Sequence, residues 1–550
     1  MNKNLMSYGV SVIICAGAQT GWAQPLSKCL TQLELDRELL KSVNDVDFKN
    51  VIDLGPNFTN DNCPKDQPSC KHGRSPVGLE TFPQLELAVI AFQPDCDKAV
   101  VGSNVFYSRD FPNGIAAQFD NRTLAVKNIR MYKWEQERFD GGKIIPNAPW
   151  FKRSSGAWKA PFPNNSLINK SALKNAPQFM SPYPASVFKI LVAIRVLQTL
   201  EEQGSLPQML AQSYTYDFGT ESKEDDVTLT FQQFLDAMIE WSGNYATAAM
   251  IQYLHKVGDI VESKIKDENG YPLRDPIFNR LNQTFANIGL PSLQMNRTRG
   301  IDGLWGNRAD AYNPESSSLS HIHMPAWDTA KLLWYMRTMA HTPQAEYPQW
   351  RSRTLPNTMV NPFAISDEVK GYFWTNLRNQ LFHEVLSNTI HCEQSQGGPL
   401  GIPALMPSKW TSATGLRLPV GNFPFYFPPD ELEGNYDFTK KLSNCQKLAE
   451  VSFASKTGLT SVSGSHAGLV KGLSERGFRR EYIVVLNSSL GSRFTDTERL
   501  ESEHVIPCFD KTLCYSRRVN QLGANIDNAL SKWLEEHDEF ATKQAKPSSR

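Results

Sequence analysis

Ser186-Val187-Phe188-Lys189-Ile190-Leu191-Val192-Ala193-Ile194 is the stretch on which the reading of this chain turns. A serine hydroxyl is a poor nucleophile until a base takes its proton. A lysine three residues further along a helix lies on the same face, one turn away. If the helix begins at Ser186, the serine N–H has no intrahelical partner and faces incoming negative charge. Nucleophile, base and half an oxyanion site would then come from one helical turn. From Val187 to Leu197 every residue is apolar except Lys189 and Arg195, and a helix apolar nearly all round is buried at the centre of a large domain. Burial disfavours the ammonium form and lowers a lysine pKa, as a lysine base requires. The plainer reading of the same stretch is a core helix with an incidental serine and a snorkelling lysine.

Two internal controls share the spacing. Ser171/Lys174 and Ser263/Lys266 lie among Asn, Lys, Asp and Glu with no apolar run behind them, so both are expected at a solvated surface. Two further segments single out Ser186. Trp241-Ser242-Gly243-Asn244 follows the amphipathic stretch Leu229 to Ile239, and Ala454-Ser455-Lys456-Thr457-Gly458 closes a strand-like run from Leu448. Ser-x-x-Lys, Ser-x-Asn and Lys-Thr-Gly, in that order, form the three-motif set of the serine β-lactamases and penicillin-binding proteins. The chain resembles that superfamily, and most closely its class A β-lactamase branch, which opens the second motif with Ser rather than Tyr.

The resemblance implies a role for each motif residue. Ser186 is the expected nucleophile and Lys189 its base. Ser242 would pass a proton to the leaving nitrogen, and Asn244 would hydrogen-bond the substrate amide carbonyl and steady Lys189. Lys456 would hold positive potential over the pocket and keep Lys189 neutral, and Thr457 would meet a substrate carboxylate. Gly458 would let an edge strand approach the substrate, and the N–H groups of Ser186 and Leu459 would form the oxyanion hole. No metal and no cofactor is implied.

The order of elements agrees with the fold this resemblance implies: α+β, an antiparallel sheet flanked by helices, plus an all-helical subdomain carrying the nucleophile helix. Leu85 to Phe92 reads as a first strand, Ala99 to Gly102 as the start of a second, and His466 to Gly472 and Glu481 to Asn487 as two more. Helical spacing of apolar residues runs from Ala326 to Met336 and through Leu522, Ile526, Leu530 and Leu534. The 56-residue gap from Ser186 to Ser242 suits a helical hairpin. Residues 81–540 are expected to form this domain, after an N-terminal extension over 24–80 and before a disordered tail over 541–550. Surplus length is assigned to insertions at about 105–180 and 388–444, the second carrying the aromatic-proline run Phe423 to Pro429.

The chain opens as an export signal over residues 1–23, with Lys3 ahead of the apolar run Val10 to Ala18. That run is short for a membrane span, and no other segment reaches spanning length. A secreted or periplasmic mature protein with no transmembrane segment is the expectation. Beyond the signal stand Cys29, Cys63, Cys70, Cys96, Cys392, Cys445, Cys508 and Cys514. An even count after export favours disulfides, with Cys63–Cys70 and Cys508–Cys514 as local guesses. Lys plus Arg balances Asp plus Glu at 57 each, and no basic stripe points to nucleic acid.

One departure from the family bears on turnover. Class A β-lactamases carry a Glu-x-x-Asn loop between the second and third motifs, whose glutamate activates the deacylating water. Here Leu304-Trp305-Gly306-Asn307-Arg308-Ala309-Asp310-Ala311-Tyr312-Asn313-Pro314-Glu315 contains no such motif, and Asp310 and Glu315 are its carboxylates. Acylation is therefore better supported than rapid release. Three functions are compatible with the sequence. One is a secreted class A-like serine hydrolase opening β-lactams through a Ser186 acyl-enzyme. Another is a D-alanyl-D-alanine carboxypeptidase or related amidase or esterase, acting on a cell-wall peptide. A third is a non-catalytic cell-wall binding protein. The motif residues intact at Ser186, Lys189, Ser242, Asn244 and Lys456 weigh against the last.

Overall fold

The computed structural model describes residues 29–48, 51–53, 77–78, 83–108, 111–132, 177–219, 226–266, 270, 272, 276–305, 322–352, 364–381, 385–388, 400–407, 443–460, 463–491, 494–496 and 516–535. The signal segment, the tail, the Ser171/Lys174 control, the Phe423–Pro429 run, Asp310, Glu315 and both local cysteine guesses lie outside them, as does most of each expected insertion.

Helix α1 (Gln32–Asn44) precedes strands β1 (Leu85–Phe92), β2 (Val100–Ser108) and β3 (Phe111–Ala116). A helical region follows, comprising α2 (Lys189–Gln203), α3 (Phe231–Glu240), α4 (Asn244–Lys256), α5 (Ala326–Arg337) and α6 (Asp367–Arg378). The chain then returns as β4 (Val451–Leu459), β5 (Gly464–Gly472) and β6 (Glu481–Ser488) and closes with α7 (Arg517–Glu535). The six strands form one antiparallel sheet in the order β4-β5-β6-β1-β2-β3. Strands from the two ends of the sequence therefore meet at the β6–β1 pair, where Ile483 faces Ile90. This is the expected α+β architecture, an antiparallel sheet flanked by helices.

Period-2 alternation assigns the two faces of the sheet. Leu85, Leu87, Val89 and Ala91 of β1 join Leu35, Leu39 and Val43 of α1 and Val519, Leu522, Ile526 and Leu530 of α7 in one buried layer. Ala88, Ile90 and Phe92 face the other way, into a larger core with α5, α2, α3 and α4. Every residue of β1 is buried, because helices cover both faces. That double cover explains why its sequence is nearly continuously apolar.

The structure adds to several of these local readings and corrects others. Residues set apart as an N-terminal extension include α1, whose buried stripe of Leu35, Leu39 and Val43 packs on the sheet. A disulfide between Cys29 and Cys96 ties its entry to the end of β1. Strand β3 falls within the stretch assigned to the first insertion; Phe-Pro-Asn-Gly hides it, and the sheet accepts Pro112 because β3 is an outer strand. Ser263 is buried rather than solvated, since its hydroxyl accepts the Ile265 N–H at 3.2 Å in a tight turn. The gap between the first two motifs is also richer than a helical hairpin. It holds α2, the short helix Leu206–Leu210, a two-stranded ribbon of Ser213–Tyr216 with Val227–Thr230, and α3.

Candidate active site

Ser186 lies in a single 3₁₀ turn, Ala185–Phe188, that runs directly into α2. It is half-buried, whereas Ala185, Val187, Phe188 and Lys189 around it are buried. The turn is tight at both sides. Ala185 holds a left-handed backbone with φ of 46°, a conformation that costs a residue with a Cβ about 1–2 kcal/mol. Across from it, a Cβ added to Gly458 would come within 2.5 Å of Pro184 O and 2.8 Å of Ser186 N. Gly458 is thus required for β4 to lie against the turn that carries Ser186.

Lys189 is the first residue of α2 and is fully buried. It does not snorkel. Its Nζ donates to Ser242 O at 2.5 Å and Asn244 Oδ1 at 2.8 Å, and lies 3.1 Å from Ser242 Oγ. Burial, followed by the positive charge of Lys456, holds its pKa well below the ordinary lysine value. Ser242 stands between α3 and α4 with φ of 62°, and Asn244 is the first residue of α4. Both are half-buried. From the opposite side Lys456 Nζ donates to Ser242 Oγ at 2.9 Å and to Thr457 O at 2.9 Å. One hydroxyl therefore lies between two buried amines. As a neutral amine, Lys189 has two N–H groups for the acceptors Ser242 O and Asn244 Oδ1, and its lone pair is left for a hydroxyl proton. Among the described residues, no hydrogen bond joins Ser186 Oγ to Lys189 Nζ. Catalytic bonds are often long without substrate.

The structure brings Ser186, Lys189, Ser242, Asn244, Lys456 and Gly458 together. Thr457 is buried, and its groups are engaged by a residue the motifs do not contain: Gln380 Nε2 donates to Thr457 Oγ1 at 2.7 Å and Gln380 Oε1 accepts the Thr457 N–H at 3.2 Å. Because that N–H points away from β5, so does the N–H of Leu459 two residues on. His466 also escaped sequence reading. It is buried, its Nδ1 accepts the Leu386 N–H at 3.0 Å, and its Nε2 therefore presents a proton to Ser455 Oγ at 2.9 Å, beside Lys456. Its signal was available only as the cross-strand pairing of Thr457 with His466. Of the carboxylates near the expected water-activating loop, Asp302 is described, and it is ion-paired with Arg299. Among the described residues, no cluster of three His, Cys, Asp or Glu side chains is placed to hold a metal ion. No helix among them is long and apolar enough to cross a membrane.

No protein-family model matches the chain, and no curated protein does. Solved structures do resemble it. PBP-A matches at 10% identity and a TM-score of 0.36, covering 92% of this chain and 98% of its own. A PBP-A variant in an acyl-enzyme complex with penicillin G matches at 12% identity and a TM-score of 0.30, over 63% of this chain and 81% of its own. A β-lactamase from Sphaerobacter thermophilus matches at 13% and 0.29, over 66% and 84%. The chain resembles the serine β-lactamase and penicillin-binding protein superfamily in its three motifs, and PBP-A and β-lactamases are what it is similar to among solved structures.

Proposed function

We propose that this protein is a serine hydrolase that opens β-lactam amides through an acyl-enzyme on Ser186. One observation carries the reading: the hydroxyl of Ser242 lies between two buried amines, at 3.1 Å from Lys189 and 2.9 Å from Lys456, with the Lys189 pKa well depressed. A structural core helix has no use for a buried amine of depressed pKa set against a serine hydroxyl. It is what proton transfer near neutral pH needs.

In the proposed reaction Lys189 takes the Ser186 proton as Oγ attacks the substrate carbonyl. The N–H groups of Ser186 and Leu459 receive the developing oxyanion, where one donor is typically worth about 3 kcal/mol. Collapse breaks the carbonyl–nitrogen bond, and the leaving nitrogen takes the Ser242 proton, which Lys189 replaces from the one it accepted. Lys456 donates to Ser242 throughout, so its charge steadies the shuttle and keeps Lys189 neutral at rest. Asn244 fixes the Lys189 amine and stands at the cleft to meet the substrate amide. The Thr457 hydroxyl already accepts from Gln380, so any bond it makes to a substrate carboxylate would use its own proton.

Release is proposed to be slow, because residues 304–315 carry no Glu-x-x-Asn. The test is to follow labelling of the mature protein by a fluorescent penicillin and then loss of the label. A burst of one equivalent followed by slow release is expected. Burst-free rapid turnover would overturn the slow-release part, and absence of labelling would overturn the reading itself. Retained label with cleavage of a D-alanyl-D-alanine peptide would place the protein with the carboxypeptidases instead.

A further inference from the structure

Residues 380 and 381, just beyond α6, stand between the two halves of the site. On one side, the Gln380 side chain holds Thr457 by both its N–H (3.2 Å) and its Oγ1 (2.7 Å). On the other, the Leu381 N–H donates to Glu240 O at 2.9 Å. Glu240 is the last residue of α3, two positions before Ser242. Gln380 and Leu381 are both buried. Thr457, the residue held in this way, also supplies the carbonyl that accepts Lys456 Nζ, and the same amine reaches Ser242 Oγ. A continuous set of hydrogen bonds thus runs from the Ser242 loop, through two adjacent residues, to the edge strand that carries Lys456.

We propose that Gln380, with Leu381, is the spacer that sets the separation of Ser242 and Lys456, which makes Gln380 a positioning residue for proton transfer through the Ser242 hydroxyl. The inference rests on the acyl-enzyme reading for its rate consequence, but its geometric consequence stands without any substrate. β4 is an outer strand of the sheet; its far side is bridged to Ala404 at Val451, and six residues on, at Thr457, the Gln380 amide does what a paired strand would do. Without it, the Thr457 N–H loses the Gln380 acceptor, and β4 can shift against the Ser242 loop. Lys456 then moves off Ser242 Oγ. Its repulsion of the Lys189 ammonium weakens, so Lys189 protonates at higher pH and fewer molecules hold the free amine at neutral pH.

The test compares wild type with Gln380→Met, which keeps length and loses both hydrogen bonds, and Gln380→Asn, whose amide is one methylene too short to hold Thr457 and keep Leu381 in place. Titration of Lys189 is followed by NMR on protein labelled at the lysine ε-carbon, with Lys189→Arg giving the assignment. Fluorescent-penicillin labelling is measured against pH in parallel. In Gln380→Met the Lys189 titration should move to higher pH, and labelling at neutral pH should slow 10- to 100-fold, as expected for a misplacement of about 1 Å. Gln380→Asn should change in the same direction by less, and it carries the test if Gln380→Met does not fold. An unmoved Lys189 titration in a folded variant would overturn the proposal, even if labelling slowed, because a merely structural loss would not touch that amine. If wild type itself is not labelled, the acyl-enzyme reading fails, and the Lys189 titration alone still decides for or against the spacer.

Discussion

Replacing Glu86 by glutamine should remove a pH dependence of stability that this protein builds into the sheet beside the segment leading to Ser186. Glu86 of β1 is fully buried. One carboxyl oxygen accepts the Ser181 hydroxyl at 2.7 Å, five residues ahead of Ser186. Burial raises its pKa from 4.5 to about 7, against the pull of Ser181, the Ala326 and Trp327 amides at the head of α5, and the Asn104 side chain. Between those two values the folded protein holds a proton that the unfolded chain has released. Folding stability from this group is therefore complete below pH 4.5 and is lost as pH rises to about 7. At roughly 1.4 kcal/mol per pH unit, the loss is about 3 kcal/mol. Glutamine keeps the shape and an acceptor for Ser181 but does not titrate. Urea unfolding of both proteins from pH 4 to pH 8 should show the wild type losing about 3 kcal/mol relative to Glu86→Gln, nearly all of it below neutrality. Parallel stability curves for the two proteins would mean that Glu86 takes no proton on folding, contrary to this expectation.

The two lysines should respond differently to substitution. Lys189→Ala should slow acylation by roughly 10²–10⁴-fold, the usual contribution of a positioned base. Lys456→Ala should shift the acid limb of the acylation–pH profile to higher pH, because the charge that helps depress the Lys189 pKa is gone. Lys456→Arg, which keeps that charge, should retain more activity, and stopped-flow acylation across pH separates the three. Joint replacement of Cys29 and Cys96 by serine opens a loop spanning 67 residues, and urea unfolding should show a loss of about 4 kcal/mol if loop entropy dominates.

Strand β1 was readable to the residue because helices bury both its faces, so its apolar run starts and stops with the strand. α5 and α7 were readable from helical spacing alone. The site was legible where chemistry is local: Ser186 and Lys189 share one turn, and Lys456 to Gly458 share one strand. What the sequence hid depends on contacts made at long range. Gln380 reaches Thr457 across 77 positions, and His466 acquires its partners from β4 and Leu386 only when the sheet assembles. Glu86 looks like a polar break in an apolar strand until Ser181 and the head of α5 arrive beside it. The stripe in α1 was visible in the spacing of Leu35, Leu39 and Val43, but nothing local says that a helix 40 positions before β1 packs on the sheet rather than preceding it.

Of the three serines with a lysine three residues on, Ser186 is the one proposed to be activated by its surroundings. The direct measurement is peptide mass spectrometry of the protein after exposure to a β-lactam. One adduct is expected, on the peptide containing Ser186, absent from Ser186→Ala and strongly reduced in Lys189→Ala. An adduct on Ser242, Ser171 or Ser263, or one that persists in Ser186→Ala, would contradict it.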